Sequence, residues 1–433
     1  MAVIGGGPAG SFFTFFLLKM AAAVDVRLEV DIYEPRSFTR AGPAGCNHCG
    51  GIVSESLVQI LAAEGITLPG EVVQSGIESY VVHMDVGSVN IASPAREQRI
   101  AALYRGNGPR GGEDMKGISF DAYLQQLAVE KGARIVRKLV AGVTWKDGLP
   151  CVREADGRET PYDLVTVASG VNSNLLNLFE DLPAPPGRPK TTRTYICEFR
   201  STREHIQKVL GNSMHVFLLD LPRLEFAAII PKGEYATMCM LGDDLDQELV
   251  HDFLRSPVVR KCFPAESTPS VCSCSPLINM GGMKKPYADR LLLIGDSGVT
   301  RLYKDGIGAA FRTSKAAAMT ALLQGISEEA FRENYWPACK KIRDDNAIGK
   351  VIFATTTVFK HSRFARKGIL RMTTREQIAQ GGGRMSETLW NMFTGSAPYR
   401  DIFMGTLHPA FVGSLLWNLS AGVWPSNGKA REA

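Results

Sequence analysis

Apolar residues along this chain form short continuous runs near both ends of its first three-quarters, and helical stretches after that. The runs Ala2-Val3-Ile4, Val30-Asp31-Ile32-Tyr33, Leu164-Val165-Thr166-Val167-Ala168 and Leu291-Leu292-Leu293-Ile294 predict short buried strands. Segments 11–20 and 120–131 predict helices, and 133–136 and 139–143 return to strand. Positions 77–84 and 88–91 read as a hairpin around Asp85-Val86-Gly87. After a Pro-rich linker at 182–189, β-branched and aromatic residues dominate 194–199, 214–219, 225–230 and 235–241, which predicts a second, antiparallel sheet. From about Ser314 the pattern is mainly helical. The element order gives an α/β unit over 1–185 and 286–345, an inserted sheet domain over 186–285, and a helical region over 346–433.

The first buried run enters Gly5-Gly6-Gly7-Pro8-Ala9-Gly10 and then a helix. Gly5, Gly7 and Gly10 have the dinucleotide spacing: a tight turn, a close backbone approach to pyrophosphate, and close helix–strand packing. Amide groups and dipole at the helix start attract the phosphates, with Pro8 and Ala9 in the first turn. Glu34 ends the second run at the distance of a ribose-binding carboxylate, followed by Pro35 and Arg36. Far downstream the run 291–294 ends in Gly295-Asp296, and Lys304-Asp305-Gly306-Ile307-Gly308 opens another helix. Such a carboxylate stands where α/β sheets bind ligands, and the Gly306-Ile307-Gly308 turn can place helix amides under a flavin ring.

This pair of segments resembles the glutathione-reductase-type FAD fold: a Rossmann-type FAD-binding domain with an inserted antiparallel β-sheet substrate domain and a helical C-terminal region. Two further segments narrow the resemblance. Cys46-Asn47-His48-Cys49-Gly50-Gly51 is similar to the Cys-Gly-Gly segment that lies against the flavin in the geranylgeranyl reductase family. Leu224 to Gly233, ending in Pro231-Lys232-Gly233, is similar to that family's aromatic-to-Pro-Lys-Gly strand. The resemblance implies FAD as cofactor, with Cys49, Gly50, Gly51, Val140 and Gly170 joining the segments above as cofactor contacts. It implies reduction of carbon–carbon double bonds in a prenyl lipid. The superfamily also contains electron-transfer-flavoprotein:quinone oxidoreductases, so a dehydrogenase or electron-transfer subunit serving a quinone or a redox protein is the alternative. A flavin-dependent monooxygenase ranks below both.

The chain departs from the pattern in places. The family's Arg-x-x-Phe-Asp has Gly117 in the Arg position before Phe120-Asp121, with Arg110 or Lys116 as substitutes. Its Asp-Gly pair appears as Ala168-Ser169-Gly170, which weakens the case for a tightly held nicotinamide donor. The donor is therefore open among NADPH, ferredoxin and another redox protein. The first strand is short, as expected of a chain trimmed at its start. Cys49, Tyr303 and Lys304 are the candidates for chemistry beside the ring, the last two by their place before the Gly306 turn. His83, His215, His251, His361 and His408 read as isolated.

Composition narrows the class. With 45% apolar and 21% charged residues the chain reads as globular rather than disordered. Nine scattered cysteines, an odd number, argue against a secreted disulfide framework. Cys46/Cys49 with Cys272/Cys274 can furnish four thiolates to zinc or an iron–sulfur cluster, or a redox disulfide, but buried thiols are the simpler reading and no metal is assigned. Residues 346–375 hold seven Lys or Arg and no Asp or Glu; taking seven from the net +5 leaves −2 for the rest. Lys360, Arg363, Lys367 and Arg371 recur at helical spacing, and an apolar run follows at 409–424, too short to span a bilayer. The stretches 350–375 and 409–424 read either as peripheral membrane contacts on the inner face or as a solvated helix and a buried one. The expected compartment is cytoplasmic, and no stretch has the form of a nucleic-acid module.

Overall fold

The computed structural model describes residues 1–42, 50–93, 100–110, 118–175, 187–262, 270–379 and 383–420. The sequence-predicted contact Cys49, its neighbour Cys46, and Lys116, Gly117 and most of the Pro-rich linker lie outside these. Among the described residues, the buried runs assemble into one six-stranded sheet in the order Tyr287–Ala288, Leu291–Leu293, Val165–Val167, Ala2–Ile4, Asp31–Tyr33 and Arg134–Val136. All neighbours are parallel except the edge strand Tyr287–Ala288. Ala2 is in register with Val165 on one side and Asp31 on the other. Parallel strands need crossovers and covering helices, which is why these runs are apolar throughout.

The helix Pro8–Ala23 supplies one cover and Gly306–Leu323 another, and the two pack together. Phe311 meets the edges of Phe12 and Phe16 at 5.5 and 5.2 Å between ring centres. Ser314 Oγ donates to the Ala9 carbonyl at 2.8 Å. Two glycine-bearing turns 300 residues apart in sequence are thereby locked side by side. Gly295 is part of the lock, since a Cβ there would lie 2.7 Å from Ala9 Cβ.

The second sheet has seven strands, in the order Ser270–Cys274, Tyr195–Arg200, Tyr235–Gly242, Leu224–Lys232, Ser213–Phe217, Ser79–Met84 and Gly87–Ala92. The hairpin of the first 185 residues is thus the edge of the same sheet as the strands beyond 186. Its strand Ser79–Met84 pairs in parallel with Ser213–Phe217. Both faces of the sheet are covered. Phe217, Ile229 and Met238 pack under the helix Gln247–Arg255 through Leu249 and Phe253. On the other face Tyr80, Phe226 and Ala228 meet Phe353, Trp390, Phe393 and Tyr399 of the C-terminal helices.

Those helices are Trp336–His361, Arg363–Ile378, Arg384–Thr394, Tyr399–Thr406 and Pro409–Ser420. The basic stretch is not one continuous face. The helix breaks at Ser362, whose side chain caps the next helix by accepting from the Ala365 amide. Lys360 is buried, donating to the Leu224 carbonyl, and Arg366 is buried between Asp85 and Asp220 at 2.6 and 3.3 Å. Packing has turned two of the seven cations inward. Lys350, Arg363, Lys367 and Arg375 remain exposed.

Candidate functional site

A cavity of about 510 Å³ lies between the two sheets, where the N-terminal glycine turn, the Gly-Asp segment and the inner face of the seven-stranded sheet converge. It reaches from the parallel sheet's C-terminal ends, the usual ligand side of an α/β fold.

One end is polar. Gly5, Gly7, Pro8 and Ala9 line it at the start of the first helix. Gly5 has φ +109°, and a Cβ there would stand 2.5 Å from the Ala168 carbonyl oxygen. Gly10 lies behind the wall, where a Cβ would come within 2.0 Å of the Gly5 carbonyl oxygen. The turn can therefore exist only with glycine at both places. Glu34 closes this end; its carboxylate accepts from the Gly6 amide at 3.1 Å and from Arg36 Nε at 3.0 Å. Pro35, Arg36, Val140 and Gly170 line the same end, and the Gly170 amide donates to Ser297 Oγ at 2.8 Å. Ser169 Oγ is buried with no hydrogen-bond partner among the described residues.

The middle of the cavity is bounded by Gly50, Gly51, Asp296, Gly306 and Ile307. Burial pushes the Asp296 carboxyl above its usual range, against the pull of nearby Thr300 and Arg105. Asn279 fixes the loop by donating to the Asp296 carbonyl at 3.0 Å. Gly308 faces away from the cavity, and a Cβ there would strike Asp305 Oδ1 at 2.1 Å. Tyr303 and Asp305 both adopt left-handed backbone, φ +58° and +55°, a conformation disfavoured for an aromatic residue and held here by the surrounding packing. The buried Arg301 supplies part of that hold by donating to the carbonyls of Gly395 and Ala397.

The far end is apolar. Ile196, Met214, Phe226, Ala228, Ile230, Leu241 and Phe393 form its wall, with Cys239 beside them. Lys304 projects here, with Nζ 4.2 Å from the centre of the Phe226 ring and 5.7 Å from that of Phe393. Burial pulls its ammonium down to about 7, only partly opposed by Cys239. Tyr303 packs edge-on to Phe353 at 4.8 Å, and burial raises its phenol well above the ordinary range.

Of the sequence-predicted residues, Gly5, Gly7, Pro8, Ala9, Glu34, Pro35, Arg36, Gly50, Gly51, Val140, Gly170, Asp296, Tyr303, Lys304, Gly306 and Ile307 meet on this one cavity. Gly10, Gly295 and Gly308 serve the packing behind it. Of the two suggested substitutes for the missing arginine, Lys116 lies outside the described residues. Arg110 is exposed, whereas Arg105 lines the cavity and grips Asp121 through two hydrogen bonds of 3.1 and 3.0 Å. Arg105 lies outside the expected motif spacing, so the motif could not reveal it. Lys232 is fully buried behind Gly51, 4.4 Å from the Tyr104 ring centre, and among the described residues Nζ has no hydrogen-bond partner. Its charge opposes the upward push that burial exerts on Glu198.

Solved structures share this fold. A geranylgeranyl bacteriochlorophyll reductase-like protein from Thermoplasma acidophilum aligns over 94% of this chain and 97% of its own, with 15% identity and a TM-score of 0.68. A flavoprotein/dehydrogenase from Cytophaga hutchinsonii aligns over 98% and 99%, with 15% identity and a TM-score of 0.63. This chain has their fold. A variant of the halogenase PltM, solved in complex with FAD, aligns over 98% and 90% with 11% identity and a TM-score of 0.60. No protein-family model matches the sequence, and no curated protein matches it. The expected α/β architecture with an inserted sheet and a helical C-terminal region is therefore the one found.

Proposed function

We propose that this protein is an FAD-dependent oxidoreductase that reduces carbon–carbon double bonds of a prenyl lipid chain. One observation carries the reading: a single cavity joins a dinucleotide-type turn to an apolar wall against which the Lys304 ammonium lies. The site fits the cofactor. The Gly5–Gly10 turn would hold the pyrophosphate, Glu34 a ribose, and Asp296 the ribityl hydroxyls, while the start of Gly306–Leu323 would face the ring.

Bound FAD supplies hydride or single electrons to an acceptor. The chain's own share is to hold the acceptor, exclude water and move a proton. Ile196, Met214, Phe226, Ile230 and Phe393 offer an isoprenoid tail a dry surface. An alkene gaining hydride at one carbon needs a proton at the other. Lys304, held between charged and neutral forms near pH 7, can give that proton from Nζ and regain one from solvent afterwards. Tyr303 stays protonated and orients the loop that carries it. The exposed Met404, Leu416 and Trp417 of the last two helices and Leu407 between them, with exposed Arg363 and Lys367 on the helix that Pro409–Ser420 packs against, are a surface suited to the lipid face from which such a substrate comes. No single helix among the described residues is long and apolar enough to cross a membrane; Tyr399–Thr406 and Pro409–Ser420 form a pair bent by 64°.

The test is anaerobic reduction of the flavin-loaded protein followed by a geranylgeranyl lipid, read by mass spectrometry. A gain of two hydrogens per double bond supports the reading. Reoxidation by a quinone, with the prenyl chain recovered unchanged, overturns it in favour of electron transfer.

A further inference from the structure

On the outer face of the seven-stranded sheet, away from the cavity, three side chains meet that the proposed reaction does not use. His83 Nε2 lies 2.8 Å from His215 Nδ1, and Cys262 Sγ lies 3.5 Å from His215 Nδ1 and 3.9 Å from His83 Nε2. All three residues are more than nine-tenths buried. We propose that His83, His215 and Cys262 bind one zinc ion, with water completing its tetrahedron, and that the ion pins the Cys262 segment to the sheet.

The donor atoms suit that ion. Two imidazole nitrogens and one thiolate are zinc's usual ligands, and a tetrahedral ion with Zn–N of about 2.0–2.1 Å and Zn–S of about 2.3 Å sets its ligand atoms roughly 3.3–3.6 Å apart. The 3.5 Å sulfur distance lies within this range, the 3.9 Å one must shorten by about 0.3 Å, and the nitrogens need to part by about half an ångström.

The outer partners fix the ligand nitrogens. The Leu210 carbonyl lies 3.2 Å from His215 Nε2 and can only accept, so the proton of His215 sits there and Nδ1 presents its lone pair. Ser88 Oγ lies 2.7 Å from His83 Nδ1. Without metal, the 2.8 Å contact takes a proton on His83 Nε2, with the Ser88 hydroxyl donating to Nδ1. With metal, that proton moves to Nδ1, Ser88 accepts, and both facing nitrogens become ligands. Phe217 stacks on the His83 ring at 4.7 Å and holds its plane. The thiol gives up its proton to solvent as the S–Zn bond forms, so one proton is released per ion and no oxidant or reductant is involved.

The geometry also suits the clamp role. His83 and His215 sit on parallel neighbours, Ser79–Met84 and Ser213–Phe217, whereas Cys262 follows the short helix Pro257–Arg260. One ion would join three segments distant in sequence.

The test uses the full chain, expressed without a polyhistidine tag and purified without chelator. We expect about one zinc per chain by elemental analysis, and a zinc-edge X-ray absorption spectrum with one sulfur near ~2.3 Å and two nitrogens near ~2.0–2.1 Å. Cobalt(II) exchanged into the site should show tetrahedral ligand-field bands to the red of flavin absorption. Cys262→Ser should lose the sulfur shell and most of the metal. Ser88→Ala, an exposed change that leaves the core intact, should weaken zinc binding about 10- to 100-fold. A folded protein that is metal-free as purified and takes up no cobalt would overturn the site and leave a hydrogen-bonded cluster. So would zinc content unchanged in Cys262→Ser. Neither outcome depends on flavin binding or prenyl reduction.

Discussion

The ammonium of Lys304 stands 4.2 Å from the centre of the Phe226 ring, and among the described residues no carboxylate pairs with it. A cation on an aromatic face gains only about 0.5–2 kcal/mol, too little to offset the loss of water, so its affinity for a proton falls to about 7. If this group gives the proton, the rate of alkene reduction is steady below about pH 7 and declines above it, as the charged form disappears. Lys304→Met should keep its flavin and lose about 10²- to 10⁴-fold in rate. Single-turnover product formation against pH checks both.

The same lysine predicts a stability effect of opposite sense. Its proton affinity is lower folded than unfolded, so the unfolded chain binds more protons between about pH 7 and its ordinary value, and stability contributed here rises with pH across that window. Lys304→Met should therefore melt higher than the parent, by most below pH 7, with the gap closing at alkaline pH. Thermal melts at a series of pH values measure it.

Gly5→Ala places a methyl 2.5 Å from the Ala168 carbonyl oxygen on a backbone at φ +109°. The turn must shift, and with it the amides proposed to hold the pyrophosphate. Flavin content after purification should drop by at least about tenfold, a loss of roughly 1.4 kcal/mol in binding. Gly70→Ala, which meets nothing within 4 Å, should leave flavin content unchanged.

Asp121 has no solvent exposure and receives two hydrogen bonds from Arg105, whose side chain keeps 19% exposure. An amide in place of the buried carboxylate removes the charge that Arg105 grips and turns a donor toward its guanidinium. Asp121→Asn should destabilise the fold by about 3–5 kcal/mol, read as a lower denaturant midpoint. Because Arg105 also lines the cavity, flavin affinity should weaken in the same variant.

Leu416 and Trp417 are 60% and 67% exposed on the helix Pro409–Ser420, which packs on Arg363–Ile378 through Leu419 and Gly368. If this corner meets lipid, Leu416→Glu with Trp417→Glu should abolish sedimentation with anionic vesicles at unchanged flavin content. Lys367→Glu should weaken it about fivefold or more, and added salt should mimic that loss.

How far the sequence could be read depends on how local each signal is. The hairpin, both glycine turns and the Gly-Asp strand were legible because turn chemistry and short apolar runs act over a few residues. The cap at Ser362 was not taken from the basic stretch, since regular spacing of cations masked a break set by a single side chain. Lys360 and Arg366 turned inward because acceptors from distant strands and loops, Leu224, Asp85 and Asp220, lie beneath them. Arg105 was invisible because the motif expects its arginine at another spacing, while the fold needs only that a guanidinium reach Asp121.

Sequence alone determined that two glycine turns and an apolar strand ending in Gly-Asp exist, because glycine spacing and side-chain periodicity constrain backbone near themselves. Tertiary structure alone decided that Lys304 meets Phe226 and Phe393, and that His83 meets His215 and Cys262. Those meetings are set by strand order and by the parallel register of Ser79–Met84 with Ser213–Phe217, more than 130 residues apart in sequence. Proton affinity and ligand geometry come from such neighbours and from the water they displace, and neither is written in the identity of a lysine or a histidine.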